Sequence, residues 1–132
     1  MFKMELQEEQ KWIQKYMDLA KLQTLENLWA STLMKDGEPI LCAGPIVCGD
    51  HRAILWSVLS NKVNKFNFLV IHLLSKEYIA NLPFRRLETV VECKFKEGHR
   101  WMAALGFEME APRMKAFQED GRDCSLYALV RD

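Results

Sequence analysis

A single domain spanning residues 1–132, built as a mixed α/β sheet with helices on both faces, follows from three features of the sequence. In the middle of the chain, helical periodicity alternates with strand-like runs, which is how crossover helices join parallel strands. At both ends, glycine-centred turns separate β-rich runs, as hairpins require. No linker, internal repeat or low-complexity tract interrupts the chain, and 132 residues supply one core rather than two.

From Glu8 to Trp29 the residues Trp12, Ile13, Tyr16, Met17, Ala20, Leu25, Leu28 and Trp29 recur at threes and fours, predicting one amphipathic helix or two consecutive ones. Phe2 to Leu6 alternates apolar and charged residues and is the candidate first strand. Asp36-Gly37 has the chemistry of a tight turn between strands at Ser31–Met34 and Ile40–Val47, and Gly49-Asp50 marks a second turn. Ala53 to Leu59 is apolar on both parities, as expected of a central strand covered on both faces. Phe66 to Ala80 resumes helical spacing, with Asn64 as its N-cap and Leu82-Pro83 as its stop. A strand at Arg86–Val91, a helix at Lys96–Leu105 and a strand at Phe107–Met109 follow. The last hairpin joins Arg113–Phe117 to Cys124–Val130 across Asp120-Gly121.

Composition excludes several classes. The 18 basic and 18 acidic residues cancel, removing the field that holds a phosphate polymer or an anionic membrane surface, so nucleic acid is not the expected partner. Cys42, Cys48, Cys93 and Cys124 form no C-x-x-C pair and accompany only three histidines, so no metal site is signalled and small buried thiols are expected. The longest apolar run, around Phe68 to Leu74, falls far short of a membrane span, and no basic, apolar leader opens the chain. A cytosolic protein is expected.

The segment Glu97-Gly98-His99-Arg100-Trp101-Met102-Ala103-Ala104-Leu105-Gly106-Phe107-Glu108 carries the most information. A short helix, with Trp101 and Leu105 as its expected core face, is cut off by Gly106 and passes at once into a strand. That strand, helix, Leu-Gly-Phe and hairpin order resembles the C-terminal half of the GCN5-related N-acetyltransferase (GNAT) fold. The resemblance implies acetyl-CoA as cofactor. Its pantetheine arm would pair with the backbone of the strand Ala53–Leu59, with Trp56, Val58 and Ser60 as contacts. Its pyrophosphate would meet the loop Ser60–Lys65 and the following helix start.

That loop departs from the family's Q-x-x-G-x-G/A pattern, because it contains no glycine; Lys62 and Lys65 are the charges left to meet a phosphate, or simply solvated side chains. Laid on the family's N-x-x-A-x-x-x-Y-x-x-L-G-F pattern, Phe95 replaces the asparagine, Gly98 the alanine and Met102 the proton-donating tyrosine. Methionine cannot donate that proton. His99, one turn back, is the candidate acid or base, with a hydrogen-bonded packing role as its alternative, and Glu88 is the candidate catalytic carboxylate. His72, in an apolar helical run, is read as a core histidine.

Leu41-Cys42-Ala43-Gly44, the Arg52–Ser60 strand and the G-H-x-W-x-x-x-L-G-F helix are also similar to a group of bacteriophage and prophage acetyltransferase-like proteins related to small internal virion proteins of short-tailed phages. That resemblance implies two functions. One is an acyl-CoA-dependent N-acetyltransferase acting on a protein or small-molecule amine. The other is a non-catalytic GNAT-fold protein that works in the virion or binds phage structural or host proteins, in the host cytoplasm.

Overall fold

The computed structural model describes residues 22–27 and 30–132. The candidate strand at Phe2–Leu6 and the helical periodicity before residue 22 lie outside the described residues. In chain order the elements are β1 (Leu22–Asn27), β2 (Ala30–Lys35), β3 (Glu38–Val47), β4 (Arg52–Leu59), α1 (Lys65–Asn81), β5 (Arg86–Glu92), α2 (Lys96–Ala104), β6 (Glu108–Met114) and β7 (Cys124–Val130). The strands form one mixed sheet in the order β1-β2-β3-β4-β5-β7-β6. The chain divides into two compact units, one containing residues up to Pro45 with Ser57–Leu82, the other Ile46–Trp56 with Pro83–Asp132.

In the first unit, β1 pairs antiparallel with β2 from Leu22↔Lys35 to Asn27↔Ala30. This corrects the helix expected through this stretch. Leu22 and Leu25 are three apart, a spacing that suits a helix, but six residues are too short a window to decide, and the ladder offered by β2 makes the stretch a strand. The β2–β3 turn is as expected: Asp36 and Gly37 both adopt positive φ, at 51° and 80°, the geometry a tight two-residue hairpin demands. Ile40 of β3 accepts a hydrogen bond from the Ser60 amide just past β4. Helix α1 begins at Asn64, whose side chain accepts from the Asn67 amide at 2.8 Å, and ends at Leu82 before Pro83. Val70, Ile71, Leu74 and Ile79 of α1, with Leu33 and Ile40 of the strands, are buried.

In the second unit, β5 is flanked by β4 in parallel and by β7 antiparallel, and β7 carries β6 on its other side. Helix α2 closes with Gly106 at φ 95°, its amide bonded to Ala103 O and the Phe107 amide to Met102 O, a Schellman motif sealed by buried Met102 and Phe107. The buried face of α2 is Gly98 and Met102, whereas Trp101 and Leu105 are half-buried, correcting the expected core face. A Cβ at Gly98 would sit 2.8 Å from Val91 Cγ1 and 2.6 Å from the Phe95 ring, so the missing side chain lets the helix lie close on β5.

Strand β6 runs on to Met114, beyond the expected end at Met109, while Lys115 and Ala116 lie in a turn rather than a strand. Two register shifts against β7 accommodate this longer strand, and Pro112, which has no N–H to donate, is tolerated because β6 is a sheet edge. Two further expectations are corrected. Ala53 is fully buried, but Trp56 through Leu59 of β4 are exposed, so the strand is not covered on both faces. Of the cysteines, Cys124 is buried, Cys42 and Cys93 are half-buried and Cys48 is exposed.

Candidate functional site

The parallel contact between β4 and β5 is short. Arg52↔Arg86, Ala53↔Leu87 and Ile54↔Glu88 pair, and there the register ends, although β4 continues to Leu59 and β5 to Glu92. Past the break the Leu55 carbonyl accepts a hydrogen bond from the Thr89 hydroxyl at 3.2 Å. A side chain has replaced the next rung of the backbone ladder, and two parallel strands begin to part.

Glu88 sits at the last paired position and is 6% exposed. Arg52 donates to its Oε2 at 2.7 Å and Arg86 to its Oε1 at 3.0 Å. Arg86 also forks onto the Glu110 carboxylate. Burial pushes the Glu88 carboxyl up, but the hydrogen bonds and charges of Arg52 and Arg86 outweigh it and hold the group below the usual carboxylate range. A carboxylate so clamped is a poor proton acceptor.

His99 lies in the first turns of α2 with both ring nitrogens engaged. Nε2 is 3.0 Å from Glu92 O and 3.1 Å from Cys93 O, while Nδ1 is 2.7 Å from the Tyr127 hydroxyl. Carbonyls only accept, so the neutral ring carries its hydrogen on Nε2, and Nδ1 accepts from the tyrosine. Tyr127 is 5% exposed, and burial pushes its phenol up, keeping the hydroxyl protonated. In the β5–β7 ladder Tyr127 stands opposite Thr89, and Glu88 opposite Ala128. Neighbouring strand residues face opposite sides, so Glu88 and the His99–Tyr127 pair lie on opposite faces of the sheet. The two candidate catalytic residues are therefore not brought together.

The remaining cofactor candidates divide between the units. Trp56 belongs to the second unit and is 40% exposed. Val58, Ser60, Lys62 and Lys65 belong to the first, with Val58 at 67% exposure. The Ser60 amide is taken by Ile40 O, its hydroxyl accepts from the Lys62 amide at 3.1 Å, and Lys62 Nζ pairs with Glu38 at 3.0 Å. Lys65 is exposed at the first position of α1, a helix with no acidic residue in its first turn. His72 is half-buried, and burial followed by the charge of Lys76 pushes its imidazole below its ordinary value. Among the described residues no cluster of three or more metal-ligating side chains occurs, and no helix is long and apolar enough to cross a membrane.

The sequence matches no protein-family model and none of the curated proteins. Solved structures do match. The ribosomal-protein-S5-alanine acetyltransferase from Vibrio fischeri superposes with TM-score 0.62 at 11% identity, over 92% of this chain and 68% of that one. A ribosomal L7/L12 alpha-N-protein acetyltransferase in complex with coenzyme A gives 0.62 at 12%, over 92% and 69%. An acetyltransferase of the GNAT family from Streptococcus pneumoniae gives 0.60 at 15%, over 91% and 73%. The chain has the GNAT fold. Identities this low speak to fold alone.

Sequence reasoning missed Tyr127, Thr89, Arg52 and Arg86. A signal existed for the first: a tyrosine inside an apolar β-run buries its ring only if the hydroxyl finds a partner, and His99 was the polar group waiting. Arg86, two residues before Glu88 on one strand, was legible from alternation, whereas Arg52 left no such signal, because pairing across 36 residues is visible only once β4 and β5 are in register.

Proposed function

We propose that the chain is an acyl-CoA-dependent N-acetyltransferase with a weakened hold on the pyrophosphate. The observation that carries this reading is the early end of the β4–β5 ladder. Beyond Leu55, β4 no longer pairs with β5, which leaves the Trp56 backbone free of that ladder and its exposed ring as apolar cover for a pantetheine arm. The solved neighbours share the fold, and one of them holds coenzyme A. Within the first unit, the start of α1, with Lys65 and without an acid, favours an anion. The amine of a protein or small molecule then attacks the thioester carbonyl.

A second reading, a non-catalytic GNAT-fold protein in a phage virion or bound to a host protein, is favoured by the loop. Ser60 and Lys62 are satisfied within the chain, no glycine lets the backbone approach a pyrophosphate, and Met102 stands where a tyrosine would protonate the thiolate.

Calorimetry with acetyl-CoA, followed by thiol release with a panel of primary amines, tests both. The expected dissociation constant is roughly hundreds of micromolar, since each lost charge-assisted contact forfeits about 1.5–3 kcal/mol. Silence at millimolar acetyl-CoA removes the enzyme reading, and nanomolar binding removes the weakened site.

A further inference from the structure

We infer that α1 carries a self-association surface, on which its outer stripe, Phe66, Leu69, Leu73 and Lys76, packs antiparallel against the same stripe of a second copy. The inference stands apart from the acetyltransferase reading and uses only the first unit. Helix α1 is apolar on both sides. Val70, Ile71, Leu74 and Ile79 are buried in the core, yet on the opposite side Phe66 is 41% and Leu69 52% exposed. Leu73 is half-buried, and Lys76 and Ala80 on the same side are exposed. A helix that is apolar all round is ordinarily enclosed all round, whereas one side of this helix faces water. A single exposed leucine needs no explanation, but a row of apolar residues along one helix face marks an interaction site.

The spacing names the occupant. Phe66, Leu69, Leu73, Lys76 and Ala80 follow one another at alternating threes and fours, the repeat by which one helix seats its side chains between those of another. The stripe also complements itself. A two-fold axis midway between Leu69 and Leu73 sets Leu69 of each copy on Leu73 of the other, the isologous arrangement of a symmetric dimer. Phe66 lies three residues before that central pair and Lys76 three after it, so the same axis sets each aromatic ring against the ammonium stem of the other copy. A lysine in an otherwise apolar seam is thereby met by an aromatic face, and the two Lys76 side chains stay about 15 Å apart along the helices, beyond the reach of strong repulsion in salt. A 17-residue helix is about 25 Å long and covers less than the roughly 800 Å² per partner of a standard interface, so the dimer is weak, with an expected dissociation constant of roughly 10–100 micromolar.

Sedimentation equilibrium of the full chain, from micromolar to roughly half-millimolar concentration, tests this against Leu69→Glu, with circular dichroism confirming that the variant is folded. The wild type is expected to pass from monomer to dimer over that range, and Leu69→Glu, which brings an unpaired carboxylate into the seam, to weaken the dimer at least about tenfold. Isotope-filtered NOE spectra of mixed carbon-13-labelled and unlabelled wild-type chain supply a readout that needs no variant. They are expected to join Leu69 methyls of one copy to Leu73 methyls of the other, and the Phe66 ring to the Lys76 side chain. A wild type that stays monomeric throughout overturns the inference. So does a dimer as tight in Leu69→Glu as in wild type, or one whose intermolecular NOEs lie outside α1.

Discussion

The two ends of the β4–β5 contact solve opposite problems. At the paired end, three rungs of backbone, a buried carboxylate and two arginines lock the strands together, and every oxygen of Glu88 is used. At the open end the ladder is replaced by one hydroxyl on the Leu55 carbonyl, and Tyr127, opposite Thr89 on β7, is hydrogen-bonded to His99 rather than ion-paired. A charge clamped on both sides holds strands, because releasing it strands a buried ion, whereas a hydroxyl on a backbone carbonyl is released at the cost of one neutral hydrogen bond. The difference teaches where to look for chemistry. The strongest electrostatic feature of the second unit is its fastening, and the open end is where β4 is left without β5 as a backbone partner.

Breaking the fastened end should give the largest change. Glu88→Ala leaves Arg52 and Arg86 facing each other and is expected to cost about 3 kcal/mol, trimmed by water around half-exposed Arg52, as read by denaturant unfolding. The same carboxylate sets a pH dependence. Its folded value lies below the unfolded one, so its contribution is complete above about pH 4.3 and is lost as pH falls through the folded value. Acid unfolding of Glu88→Gln should therefore be shallower than that of wild type below about pH 4.3. At the open end, Thr89→Val keeps the shape of the side chain and leaves the Leu55 carbonyl without its donor, an expected loss of about 1–2 kcal/mol by the same measurement. The smallest effect is expected at the start of α1, where Asn64→Ala should cost about 1 kcal/mol in thermal or chemical unfolding.

Local chemistry was legible wherever a residue type has one conformational solution. Gly106 must take positive φ for the helix to stop before Phe107, and it does; Gly106→Val is expected to cost about 1–2 kcal/mol, with the penalty conformational because only Leu129 Cδ1, at 4.0 Å, lies near the added carbon. Asp36-Gly37 and the Asn64 cap were legible for the same reason. Partners distant in sequence were not. Leu22–Asn27 carries a spacing that suits a helix, and only the edge of β2 makes it a strand. Glu88 looked reactive as a carboxylate on a strand near the fold's cleft, and although Arg86 two residues before it was in view, only register reveals Arg52. His99 was visible as a polar residue on the signature helix, yet its chemistry depends on Tyr127, 28 residues away.

The central claim is that the β4 backbone beyond Leu55 is a seat for the pantetheine arm of acetyl-CoA. A nitrogen-15 amide titration of the full chain with acetyl-CoA to millimolar concentration tests it most directly. The expected result is a saturating shift of the Trp56 amide, with the paired positions Arg52 and Ala53 unmoved. Saturation elsewhere in the sheet with Trp56 unchanged, or no shift at all at millimolar acetyl-CoA, would contradict it.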